Sequence, residues 1–106
     1  MISFAEFKKM ELKVAEVVSV ATHPNADKLY VMKINLGGEE RQIVAGLKPY
    51  YKPEELQGRK IVVVANLEPA VLRGEKSEAM LLAAQDGTSV IIVVPERDVS
   101  PGSPIL

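Results

Sequence analysis

An all-β domain of five or more short strands, closed as a barrel or stacked as a sandwich, is the fold class that the sequence predicts. Three observations predict it. β-Branched runs recur along the 106 residues, at least one of them alternates cleanly with period two, and the turn signals Pro24-Asn25, Gly37-Gly38 and Asp86-Gly87 separate them. With 47% hydrophobic and 25% charged residues, the chain has apolar material for one core and no room for a second domain, so 1–106 reads as a single unit.

The elements follow in order. Ser3 and Glu6, with Phe4 and Phe7 three residues apart, predict a short capped helix over about 1–10 whose aromatic face docks on the body. Leu12 to Val20 is a valine-rich first strand. Its alternation sets Leu12, Val14, Val18 and Val20 on one face together with Glu16, so a bulge or bend is expected in the middle. His23 to Asp27 is a turn, because Pro24 holds His23 extended and Asn25 and Asp27 bond nearby backbone.

Lys28 to Leu36 then alternates, with Tyr30, Met32, Ile34 and Leu36 on one face. Gly37-Gly38 closes a hairpin into a third strand, Arg41 to Ala45. Gly46 to Gly58 is an irregular connection with a helical turn at Pro53 to Leu56, and Lys60 to Ala65, apolar throughout after Lys60, is a central fourth strand. After a loop through Arg73-Gly74, Glu78 to Ala84 supplies a fifth. The connection before the fourth strand suits a five-stranded OB-type barrel over 11–84. Residues 85–106 are an extension with three prolines, expected to serve dimerisation.

Composition narrows function. There are no cysteines and one histidine, His23, which rules out a disulfide framework, a thiolate site and a multi-histidine metal site. Apolar runs such as Val90 to Val94 are far too short to span a membrane, and the amino terminus has no secretory pattern, so a soluble, cytoplasmic protein is expected. The formal net charge is -1, yet Lys28 to Lys76 holds nine basic and six acidic residues while the tail is acidic. An anion-binding face in the middle of the chain is one reading; scattered solvated charge is the other.

Catalysis finds no support. A triad would need His23 beside a proline in a turn, the Glu39-Glu40 and Glu54-Glu55 pairs lie in turns where they solvate loops, and no glycine cluster forms a phosphate loop. A binding module with no catalytic residue and no cofactor is the expectation.

Three segments carry a family likeness: Pro24 to Leu29 (PNADKL), Arg41 to Gly46 (RQIVAG), and Asn66 to Gly74 (NLEPAVLRG) running into Ser77 to Ala84 (SEAMLLAA). In this order and spacing the chain resembles the tRNA-binding domain appended to methionyl-tRNA synthetases, also found free-standing and in cytokine-like auxiliary factors of synthetase complexes. The likeness starts at Phe4 and covers nearly the whole chain. Departures are Lys13-Val14-Ala15 for Arg-Val-Gly, Ala45-Gly46 for Ser-Gly and Ala79 for the glycine of Ser-x-Gly-Met. The alanines at 15 and 79 bear on bend geometry and close RNA approach, and Ala45 lacks a hydroxyl that could meet a phosphate. The resemblance implies an OB barrel paired as a homodimer that binds the outside corner of tRNA, either as a separate subunit or as the carboxy-terminal domain of the synthetase's catalytic part. Five aromatics are a poor stacking platform, which independently favours contacts to phosphate and 2′-hydroxyl groups.

RNA-contact roles then fall on named residues, each with a rival. Lys28 and Lys33 could face the groove between the second and third strands or be a solvated face; Arg41 and Gln42 could take a phosphate, Arg41 bidentately, or pair across strands with Glu39 or Glu40. Arg73, Lys76 and Ser77 cluster around one loop and offer two charges and a hydroxyl. Asn25 is a contact or simply a turn former, as is Asp27; Asn66 contacts RNA or ties its loop to a backbone carbonyl; Met80 lies against a base edge or fills core. Lys13 sits nearer the dimer surface. Two other functions compete: a dimeric chaperone-like, secretion-related peptide binder, which exposed apolar grooves would mark, and a purely structural dimerisation module of a synthetase.

Overall fold

A computed structural model describes all of residues 1–106. Ser3 opens α1 (Phe4–Phe7): its hydroxyl accepts the Glu6 N–H at 3.1 Å while the Glu6 carboxylate accepts the Ser3 N–H at 3.4 Å, the reciprocal cap that the spacing predicts. The expected docking of both rings does not occur. A single turn reaches the body with one ring, half-buried Phe7, and leaves Phe4 76% exposed under the Lys8 ammonium, 5.7 Å from its ring centre.

β1 (Leu12–Thr22), β2 (Tyr30–Asn35) and β3 (Glu40–Ala45) form an antiparallel meander. Tyr30, Met32, Ile34 and Leu36 are all buried, as the alternation requires. Gly37 and Gly38 take φ of 81° and 95°, the left-handed values that a two-residue hairpin turn needs, and Asn35 Oδ1 accepts both of their N–H groups. The register of β1 against β2 shifts between Val17 and Ser19, two residues past the parity failure at Glu16. Ala15 and Val17 face the core before the shift and Val20 after it, so one bulged residue, Val18, restores the apolar face.

α2 (Pro53–Leu56) sits in the long connection and delivers Leu56, wholly buried, to the core. The residues after it carry the pairing of β1 one step past Glu16: Gly58 donates to Val17 O at 2.8 Å and Val17 donates to Arg59 O at 2.9 Å. β4 (Lys60–Val64) is central, between β1 and a later short strand.

Beyond β4 the structure departs from expectation twice. The expected loop through Arg73-Gly74 is a hairpin of β5 (Ala70–Leu72) and β6 (Glu75–Ser77). The expected single fifth strand is cut at Leu82 into β7 (Met80–Leu81), paired with β4, and β8 (Ala83–Asp86), which forms a hairpin with β9 (Ser89–Ile92). Leu82 is the hand-over: its N–H bonds to Val62 O and its carbonyl accepts from Val93, so the apolar run continues while the partner changes. The result is one curled five-stranded sheet, ordered β3-β2-β1-β4-β7, wrapped as a half-barrel around Met32, Ile34, Ile43, Leu56, Ile61 and Val63. Its β3 edge meets the segment leading into β7 through one backbone bond, Glu78 N–H to Gln42 O at 2.8 Å, rather than a ladder. Ala15 and Ala79 belong to this core, so their missing glycine flexibility concerns packing and not a surface approach. No helix is long and apolar enough to cross a membrane.

The carboxy-terminal segment fills a gap in the sheet. β2 begins to pair with β1 only at Glu16, leaving the edge of Leu12 to Val14 open, and the tail takes it: Val14 donates to Ser103 O, Gly102 to Val14 O and Ile105 to Leu12 O, all at 2.7 to 2.9 Å. Gly102 crosses the Gly37 turn so closely that a Cβ on Gly102 would lie 2.6 Å from Leu36 O, and one on Gly37 2.5 Å from Pro101 O. Lys60 Nζ also donates to Asp98 at 2.8 Å. That hydrogen bond holds the Asp98 carboxyl below its ordinary value and the Lys60 ammonium above its own. The Asp98 contribution is therefore present above the unfolded carboxylate pKa and lost as pH falls through the lowered one; the Lys60 contribution is lost only as pH rises through its raised value.

The crossing predicts a substitution effect. Gly38 has a similar φ but nothing within 4 Å of its missing Cβ, so Gly38→Ala carries backbone strain alone, about 1 to 2 kcal/mol. Gly37→Ala adds the backbone collision, and its urea midpoint should fall clearly below that of Gly38→Ala. Equal midpoints would mean that the tail crossing carries no stability.

Candidate functional site

The side chains singled out from sequence fall in three groups. The first is a cleft. The turn after β1 and the β5–β6 turn, remote in sequence, meet so that Lys28 and Arg73 line one open cavity of about 480 Å³ with Ala26, Asp27 and Leu29. Arg73 is the single non-glycine residue with positive φ, at 54°, followed by Gly74 at 92°. A left-handed pair at a two-residue turn thus holds an arginine at the hairpin tip, exposed. Asn25 is exposed in the same turn as Lys28.

The second group is a polar strip across β2, β3 and β6. Lys33 Nζ donates to Gln42 Oε1 at 2.9 Å, and Gln42 Nε2 donates to the Lys76 carbonyl at 2.9 Å and to Glu75 at 3.4 Å. Gln42 is the hub, and the Lys33 and Lys76 side chains stand exposed on either side of it. The ion pairs of the chain use Arg41, Lys60 and Arg97, so Lys28, Lys33, Arg73 and Lys76 have no carboxylate partner.

The third group holds the fold together. Arg41 Nε and Nη2 donate to the Glu39 carboxylate, and Nη1 donates to the carbonyls of Ala65 and, at 3.3 Å, Glu78. The Arg41 hydrogen bond and charge hold Glu39 below the ordinary carboxylate value. The Glu39 pairing weighed against a phosphate contact is formed, along one segment and not across two strands, and the guanidinium is spent on closing β3 against the end of β4 and the approach to β7. Ser77, read from sequence as a hydroxyl for RNA, is buried: its Oγ accepts the Val44 N–H at 3.0 Å and donates to Ala79 O at 3.1 Å. With the Gln42 bonds to Glu75 and Lys76, it joins β3 to β6 in place of a ladder. Asn66 accepts the Glu11 N–H at 2.8 Å and donates to Lys9 O at 2.7 Å, tying the exit of α1 to the end of β4.

Met80 is 49% exposed and lines an apolar groove with Val44, Leu67, Ala70, Leu72 and Ala79. Sequence reading did not foresee this groove, because β5 shows no alternation: Ala70, Val71 and Leu72 are all exposed. Nor does an aromatic platform form. Tyr30 is buried with its hydroxyl donating to Tyr51 O, Tyr51 is half-buried with its hydroxyl accepting the Ile92 N–H, and only Tyr50 is well exposed.

The other residue missed is His23. It is 3% exposed, its Nδ1 accepts the Asn25 N–H at 2.9 Å, and its Nε2 lies 2.9 Å from Leu72 O. Its only sequence signal was the neighbouring proline.

Comparison with known proteins adds a consistent picture. The family model described as "Putative tRNA binding domain" matches residues 12–104. A Methionine--tRNA ligase of Pyrococcus furiosus is 56% identical over 104 residues, covering 98% of this chain and 14% of the relative; the chain thus spans about a seventh of the length of such relatives. Among solved structures, a MetRS-related protein from Pyrococcus horikoshii superposes with a TM-score of 0.93 at 31% identity, covering 100% of this chain and 98% of that one. The CsaA chaperone of Picrophilus torridus superposes with a TM-score of 0.93 at 29% identity over the full length of both.

Proposed function

The chain belongs to the tRNA-binding domain family, and from that premise we propose that it is a structure-specific tRNA-binding module. In this reading it is the carboxy-terminal domain or a separate subunit of a cytoplasmic methionyl-tRNA synthetase, and it grips folded tRNA by the backbone as a homodimer. The half-barrel is read as an OB-type barrel whose β3–β7 seam is closed by Arg41, Ser77 and Glu78, with residues 85–106 serving assembly.

The observation that carries the reading is the set of exposed cations without carboxylate partners, Lys28, Lys33, Arg73 and Lys76, on a face with almost no exposed aromatic surface. Such a face suits phosphate oxygens and does not suit stacked single-stranded bases. Gln42 sets the spacing of Lys33 and Lys76, Asn25 borders the cleft, and Arg41, Ser77 and Asn66 hold the scaffold.

Arg73→Gly isolates the charge, because glycine accepts the positive φ at least as well as arginine. Stability should hold or rise while several unrelated tRNAs weaken alike. The slope of log affinity against log salt should shrink by about 0.7 to 0.9 for each phosphate that the variant no longer neutralises. Weakening of one tRNA only, or an unchanged salt slope, would sink the backbone reading.

One observation favours a second reading. The apolar groove around Met80, together with the superposition on a chaperone, fits an extended apolar peptide. Met80→Glu separates the two: a peptide site would lose its ligand, whereas tRNA held by the cations would weaken modestly and non-selectively. Competition between an apolar peptide and folded tRNA gives the same answer without a variant.

A further inference from the structure

We infer that His23 is a positioning residue: its neutral imidazole is the clasp that holds the Lys28 turn against the Arg73 hairpin, so that both cations stand on one cleft. The inference rests on the reading of that cleft as the tRNA phosphate site. The two cations come from segments that share no strand ladder. The ring spans them, taking a backbone N–H from Asn25 on one side and meeting the Leu72 carbonyl on the other, each at 2.9 Å. Because Asn25 N–H can only donate and Leu72 O can only accept, the ring must carry its proton on Nε2 and leave Nδ1 bare. The His23 N–H also donates to Leu29 O at 3.1 Å, closing the turn that contains Lys28.

A second proton has no acceptor here. On Nδ1 it would confront the Asn25 N–H, so the bond that orders the Lys28 turn around the ring breaks and the turn loosens, while the bond to the hairpin survives. The charged groups on the elements that meet at the ring are Asp27 and Lys28 on its own turn, and Arg73, Glu75 and Lys76 on the hairpin; the adjoining ends of β1 and β2 add only the Tyr30 phenol, already bonded to Tyr51 O. None of these is an imidazole, and His23 is the one histidine of the chain, so His23→Gln removes the only ring whose second proton would disturb the clasp.

The sign is diagnostic. An exposed histidine beside a phosphate site would strengthen RNA binding on acidification, by adding charge. A clasp does the opposite, because protonation frees the turn that carries Lys28. Breaking one buried hydrogen bond by acidification should weaken folded tRNA by between about two- and tenfold.

The test is a pH series of affinities for unfractionated folded tRNA, with the full chain and with His23→Gln, paired with amide spectra of the free protein. Gln keeps one donor and one acceptor but cannot titrate, so His23→Gln should bind within about threefold of the parent near pH 7.5 and lose the pH dependence. In the free protein the Asn25 and Lys28 amides should move together as the ring titrates. Tightening on acidification, or a His23→Gln profile that follows the parent's, overturns the clasp. If neither chain binds tRNA near pH 7.5, it is the tRNA reading that fails. The clasp is then judged by the amides alone, and a Lys28 amide that stands still while the ring titrates overturns it.

Discussion

Arg41→Ala is expected to lower the unfolding free energy by about 2 to 3 kcal/mol, with any weakening of tRNA binding following from damage to the seam. Arginine on a strand beside a basic groove reads as a phosphate fork, and this one is not free to act as one. Its fork closes on Glu39, and Nη1 serves the carbonyls of Ala65 and Glu78. β3 and β7 share no ladder, so these bonds, with Ser77 Oγ to Val44 N and Glu78 N to Gln42 O, are what hold the open edge of the half-barrel closed. Removing the guanidinium leaves two carbonyls short of a donor near the end of the core. Arg73→Gly supplies the contrast, since Arg73 stands at a hairpin tip with no ion-pair partner. Urea melts and tRNA titrations of the two variants should show opposite patterns, stability reduced in one and affinity in the other. Arg41→Ala with full stability and weakened binding would return Arg41 to the phosphate contacts.

That contrast shows what a sequence can and cannot display. The elements with a complete local cause were legible: the Ser3-Glu6 cap, the Tyr30 to Leu36 alternation, the Gly37-Gly38 turn and the helical turn at Pro53. The bulge was legible as a necessity but not in position, because parity says that one residue is extra without saying which. The β5–β6 hairpin was invisible for two reasons. Its β5 strand is exposed throughout, so nothing alternates, and its turn places an arginine where glycine is the usual signal. The break at Leu82 was hidden because an apolar run looks the same whether it keeps one partner or changes it.

The site divides the same way. Residue type marked Lys28, Lys33, Arg73 and Lys76 as cations, but only the fold decides which polar side chains are spent internally, and it spends those of Arg41, Ser77 and Asn66 on the scaffold. The joining of Lys28 to Arg73 depends on His23 reaching Leu72, a contact across 49 residues that no local pattern encodes.

Removing Pro95 to Leu106 is expected to have the largest effect of all, on assembly and on tRNA binding together. The tail is not a strand of the sheet, but it supplies the backbone partners of Leu12 and Val14 where β2 has not yet begun to pair. Without it that edge is bare and Val14, now 2% exposed, meets water; an unpaired apolar edge invites pairing with other chains. Ile91, Val93, Val94 and Leu106 already stand exposed around the same extension, apolar surface that a second copy would cover in the proposed homodimer. Two copies related by a two-fold axis would present two sets of Lys28, Lys33, Arg73 and Lys76 to one tRNA, and the second set would bind at high effective concentration, so halving the assembly should cost much more than half the affinity. The intact chain should therefore run near twice its 11.6 kDa in light scattering. The chain ending at Val94 should be monomeric or insoluble, with tRNA affinity reduced by about a hundredfold or more where it can be measured. Asp98→Ala provides a milder check, because it removes the Lys60 pair and leaves the edge bonds of residues 102 to 105 in place. It should leave both assembly and affinity nearly unchanged. A soluble monomer ending at Val94 that binds tRNA as tightly as the intact chain would show that one copy's cations suffice, and the tail would then be a cover for the β1 edge and nothing more.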